Sequence, residues 1–64
     1  MSSEYQVLEL VQKEIGKMRH DREQYIGYGR AKDYSEYQHV CGVILGLTHA
    51  DDMIKDFVQR MENE

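Results

Sequence analysis

From Tyr37 to Met61 the chain repeats one spacing: Tyr37, Val40, Ile44, Leu47, Asp51, Ile54, Val58 and Met61 follow one another at alternating steps of three and four. Those steps return each side chain to the same side of an α-helix and scatter them on a strand. Only Asp51 interrupts an otherwise apolar series. The chain contains no proline, so no residue forces such a helix to stop or kink. Asp33 with Glu36, directly before the series, has the spacing of a capping box. The pattern predicts a helix over 34–62. Thr48 and Asp51 stand at near-capping spacing, and a break there is the competing expectation.

The residues before it read as a first helix. Met1 to Ser3 is a lead-in, with Ser3 and Gln6 at capping spacing and Glu4 suited to the positive end of the helix dipole. Leu8, Val11, Ile15, Met18, Arg22 and Tyr25 again alternate threes and fours, and Val7, Leu10 and Ile26 widen the stripe. The helix expected over 4–26 is roughly 35 Å long at 1.5 Å per residue. Gly16 inside it costs about 1 kcal/mol against alanine; it is either a point of close backbone approach or a tolerated defect. Gly27-Tyr28-Gly29 ends the helix, with Gly27 expected in the left-handed conformation. Arg30, Ala31 and Lys32 complete a short link, and short links make antiparallel neighbours. The fold class is therefore all-α: an antiparallel two-helix hairpin, one domain over residues 1–64.

The second helix carries a second face. Gly42, Gly46 and Ala50 recur every four residues, and Leu45, His49, Met53 and Phe57 flank them. Small residues at that spacing let two helix backbones approach. A helix apolar or small over so wide an arc is normally covered on more than one side, and one partner helix cannot cover both. Size points the same way. A 64-residue chain buries only about 60% of its unfolded surface and usually needs a staple or a partner. The single cysteine, Cys41, cannot form an internal disulfide. The hairpin is expected to pack in an oligomer, such as an antiparallel four-helix bundle, or on a larger protein.

The chemistry of sites is thin. His20, His39 and His49 form no i, i+4 pair, and one His49–Asp52 spacing makes no metal site. Cys41 among apolar neighbours reads as a packing residue. No glycine loop follows a strand to cradle phosphate. No catalytic, cofactor-binding or metal-binding residue can be named, and the chain is not expected to be an enzyme. The formal net charge of −4 argues against a general nucleic-acid binder. No apolar run is long enough to span a membrane, and no basic-then-apolar start suggests a secretion signal.

Two features remain for protein contact. Tyr25, Tyr28, Tyr34 and Tyr37 gather around the turn with Arg22, Arg30 and Lys32. Tyrosine and arginine are enriched at binding hot spots; the bland alternative is that these rings seal the hairpin end with their hydroxyls in water, and base stacking on a single strand is a third use. Charge is also polarised: residues 17–39 carry +1, residues 1–16 carry −2 and residues 40–64 carry −3. That either orients a docked hairpin or keeps its ends soluble. The candidate interface is Tyr28, Tyr34, Tyr37, Gly42, Leu45, Gly46, His49, Ala50, Met53 and Phe57.

Gly29-Arg30-Ala31-Lys32-Asp33-Tyr34, then Glu36-Tyr37-Gln38, Val40-Cys41-Gly42-Val43-Ile44 and Gly46-Leu47 resemble a motif in short open reading frames of tailed bacteriophages, found among head and packaging genes. The resemblance covers roughly residues 29–47 and brings no catalytic residues. It implies a virion setting, assembled in the bacterial cytoplasm, with portal, neck or capsid proteins as partners. The expected function is then a small structural virion protein docking on such partners, without cofactor. The competing reading is a free dimeric four-helix-bundle module that binds a host or phage protein. A third, a nucleic-acid accessory protein, would use the basic, tyrosine-rich tip.

Overall fold

The computed structural model describes residues 3–63; Met1 and Ser2, read above as part of a lead-in, lie outside them. Two helices make up the fold, α1 over Ser3–Gly27 and α2 over Tyr34–Glu62. They pack against each other as an antiparallel hairpin with extents of 47 × 14 × 12 Å. No strand occurs among the described residues.

The start of α2 follows from its capping residue. Asp33 is extended, and its carboxylate accepts from the Glu36 backbone N–H at 2.8 Å. The reciprocal half of the capping box is not made. The Glu36 side chain instead accepts from the Tyr25 hydroxyl of α1, so the start of one helix is tied to the end of the other. The helix then runs unbroken through 48–51. Thr48 turns its hydroxyl back on the helix, donating to the Ile44 carbonyl at 2.9 Å, so the near-capping spacing never becomes a cap. At the far end the Asn63 N–H donates to the Gln59 carbonyl at 3.1 Å.

The end of α1 corrects one expectation. Gly27 is the last helical residue, and Gly29 takes the left-handed conformation, with φ of 69°. Gly29 N–H donates to Ile26 O at 2.9 Å and Arg30 N–H to Tyr25 O at 3.1 Å. This nested pair is a Schellman motif, which satisfies the last carbonyls of the helix and turns the chain. At the other end, Ser3 is already helical, so it stands inside the helix and does not cap it. Glu4 occupies the first turn as expected.

The seam between the helices is the predicted one on α2. Val40 is buried, as is Asp51, and Ile44, Leu47, Ile54, Val58 and Met61 are half-buried; Tyr37, the first of the series, stays exposed. On α1 the predicted series blends two faces. The half-buried residues are Tyr5, Leu8, Gln12, Ile15, Gly16, Arg19, Tyr25 and Ile26, so Leu8, Ile15 and Tyr25 of the predicted series hold, whereas Val11, Met18 and Arg22 are exposed. Threes and fours fit either set.

Candidate protein interface

The hairpin has two broad sides, and the seam defines them. On α1, Val7, Val11 and Met18 each stand one residue before an inward-facing residue, Leu8, Gln12 and Arg19. On α2, Val43, Gly46, Ala50, Met53 and Phe57 each stand one before Ile44, Leu47, Asp51, Ile54 and Val58. One residue back along a helix rotates the side chain by about 100°. Because the helices are antiparallel, that rotation carries both strips to the same side of the hairpin. The residues one step after the seam make the other side: Gln6, Glu9, Lys13 and His20 on α1, with Tyr37, Cys41, Thr48, Asp52, Lys55 and Gln59 on α2. The first strip also carries Glu14, one before Ile15, and His39, one before Val40, and the second carries Leu45, one after Ile44. One side is thus mainly apolar and the other mixed and mainly polar.

Two bonds fix the register along the hairpin. The Tyr5 hydroxyl donates to Glu62 at 2.9 Å at the open end, and Tyr25 donates to Glu36 near the turn. With equal rise on both helices, the mean of the two registers sets Val7 about level with Phe57, Val11 with Met53 and Met18 with Gly46. These are not packed pairs sealed from water: Met18 is 54% exposed, Met53 58% and Phe57 48%. A Cβ added at Gly42 or Gly46 would meet nothing within 4 Å. Nothing inside the hairpin therefore requires glycine at either position. The Arg60 guanidinium lies 5.8 Å over the Phe57 ring and pairs with Asp56 at 2.8 Å, which places a charge at the open end of the apolar side.

The ten residues singled out from sequence fall into separate places. Gly46, Ala50, Met53 and Phe57 lie on the apolar side and Gly42 on its rim. His49 faces outward away from α1, and Leu45, one step after Ile44, lies toward the side opposite the apolar one; both are exposed. The tyrosines do not join this face. Tyr34 and Tyr37 stack at 6.3 Å, 19° between planes, on the opposite flank near Cys41. Tyr28 is exposed at the tip, beside a cleft it shares with Asp21, Gln24, Tyr25 and Arg30. Sequence reasoning missed the α1 half of the apolar side. Val7, Val11 and Met18 were visible as apolar, but spacing alone assigned two of them to the seam.

The seam itself is poor in apolar contact. Val40 is the one buried hydrophobic residue among the described residues. Gln12 and Arg19 occupy seam positions, and the Arg19 Nε is buried with no hydrogen-bond partner. Asp51 is buried, with Lys55 at 3.1 Å reaching in from solvent. Each of these polar groups costs desolvation that a leucine would not.

Electrostatics at the ends is set by the tyrosine–carboxylate bonds. The Glu62 carboxylate accepting a hydrogen bond from Tyr5, and Glu36 accepting one from Tyr25, hold both phenols above the ordinary tyrosine value. A hydrogen bond to Cys41 raises Tyr37 in the same direction. No group of three or more His, Cys, Asp or Glu side chains able to hold a metal occurs among the described residues. Among those residues, no helix is long and apolar enough to cross a membrane. No family model, no curated protein and no solved structure matches the chain.

Proposed function

We propose that this chain is a non-enzymatic structural protein, a helical hairpin that acts by laying its apolar side on another protein surface within a larger assembly. The observation that carries this reading is the uncovered apolar side spanning both helices, Val7, Val11 and Met18 with Gly46, Met53 and Phe57. Apolar side chains scattered singly over a surface need no explanation, whereas a contiguous patch marks an interaction site. The resemblance over residues 29–47 supplies the setting: a tailed-phage particle, with head, portal or neck proteins as the surrounding structure.

The test uses Gly46. A leucine there finds open space in the hairpin, so Gly46→Leu introduces no clash within a single chain. In the assembly it would hold the partner surface away. A tagged chain produced during infection should therefore copurify with particles, and the Gly46→Leu chain should not. Normal incorporation of the variant would count against the reading.

A further inference from the structure

We infer that the apolar side is covered by a second copy of this chain, forming an antiparallel four-helix bundle in which the turn of one hairpin lies against the termini of the other. This rests on the reading that the apolar side is an interaction surface, and names what it meets first.

Area gives the first reason. The chain exposes 5129 Å², whereas a folded monomer of its mass is expected to expose about 4300 Å². The surplus, about 800 Å², is what each partner contributes to an interface of standard size. A hairpin is one layer of helices, and domains need two packed layers around a core. The layer that matches a two-helix face of 47 Å in width and length is another such hairpin. The second copy would also bury the seam edge at Val43 and Ala50, giving the half-buried seam the core it lacks.

Charge gives the second reason, and sets the direction. The open end, residues 1–16 with 40–64, carries −5; the turn end, residues 17–39, carries +1. Two copies stacked with their turns together would set −5 against −5. Reversing one copy sets each acidic end against a weakly basic one, the arrangement that complementarity favours. Glu14, one residue before Ile15, lies within the strip of the apolar side, and its pairing with Lys17 at 3.5 Å offsets its charge there.

Light scattering on the full chain tests the pairing. Wild type should have twice the chain mass at micromolar concentration. Met53→Glu puts a charge in the middle of the covered side and should halve that mass. Leu45→Glu, an equal change at a residue 57% exposed but lying toward the opposite side, should leave it unchanged. A wild type that is monomeric and fully helical overturns the inference, as does a dimer broken by Leu45→Glu and not by Met53→Glu. A Met53→Glu chain that has lost its helicity leaves the decision to the wild-type mass and the Leu45→Glu control. Failure here is separable from failure of the proposed function. A monomeric wild type that still enters particles, while Met53→Glu does not, sinks the second copy alone. Orientation is read from spin labels at Tyr28→Cys in a Cys41→Ala background. Tips at opposite ends should be separated by a distance on the order of the 47 Å hairpin length. Tips within a helix diameter or two, about 10–12 Å each, would overturn the reversed arrangement.

Discussion

Asp51 is the residue at which the seam is weakest. It interrupts an apolar series, is only 7% exposed, and has a single ion-pair partner that is itself mostly in water. Replacing buried ionic groups by well-packed apolar residues is often neutral or stabilising, and Lys55 can return to water, so Asp51→Leu should raise the melting temperature, read by circular dichroism. Val40 is the opposite case. Val40→Ala deletes two buried carbons at about 0.8 kcal/mol each and should lower stability by about 1.5 kcal/mol in urea unfolding. Tyr5 and Tyr25 give a pH dependence. Their folded pKa values lie above the unfolded ones, so the stability they contribute is complete below about pH 10. It is lost as pH rises through the folded values, because the unfolded chain gives up the phenol protons first. Helicity should therefore fall above about pH 10, and the double variant Tyr5→Phe, Tyr25→Phe should fall less over that range. Sequence alone identified Asp51 as an interruption. It did not identify Tyr5 or Tyr25 as links between the helices, because a hydroxyl reaching a carboxylate on another helix leaves no local spacing to read.

At the scale of the helix, α2 was almost fully legible and α1 was not. Asp33 caps where its side chain and the following period predicted, and the seam of α2 follows the threes and fours from Val40 to Met61. The physical reason is that β-branched and long apolar residues on α2 concentrate on one side, while the second, smaller stripe lies a clear step away. On α1 the apolar residues are shared between the seam and the exposed side, and polar Gln12 and Arg19 sit inward. A pattern that counts apolar residues therefore merges the two faces. The left-handed glycine was displaced by two residues for a related reason. Gly27 and Gly29 both permit that conformation, and Gly29 is the one that completes the Schellman bonds. Two expectations follow for α2. Asp33→Ala should cost about 1 kcal/mol, because it strips the cap from Glu36 N–H. Gly42→Ala should add up to about 1 kcal/mol to helix stability, since the new methyl meets nothing within the hairpin; thermal melts of the two variants check both signs.

The molecule as a whole is a long, thin layer. Its radius of gyration is 14.7 Å, against about 11 Å expected for a compact domain of this length. One side of the layer is mainly polar, the other presents Val7, Val11, Met18, Met53 and Phe57, and the seam between the helices buries a single hydrophobic residue among those described. A layer built this way owes its order to whatever lies on its apolar side. The measurement that tests this most directly is helicity followed together with mass on the purified chain through a dilution series. If a second copy covers the apolar side, helicity falls in step with the mass as the pairs separate. A chain that stays fully helical as a monomer at every concentration would contradict it, and would show that the hairpin stands without a partner.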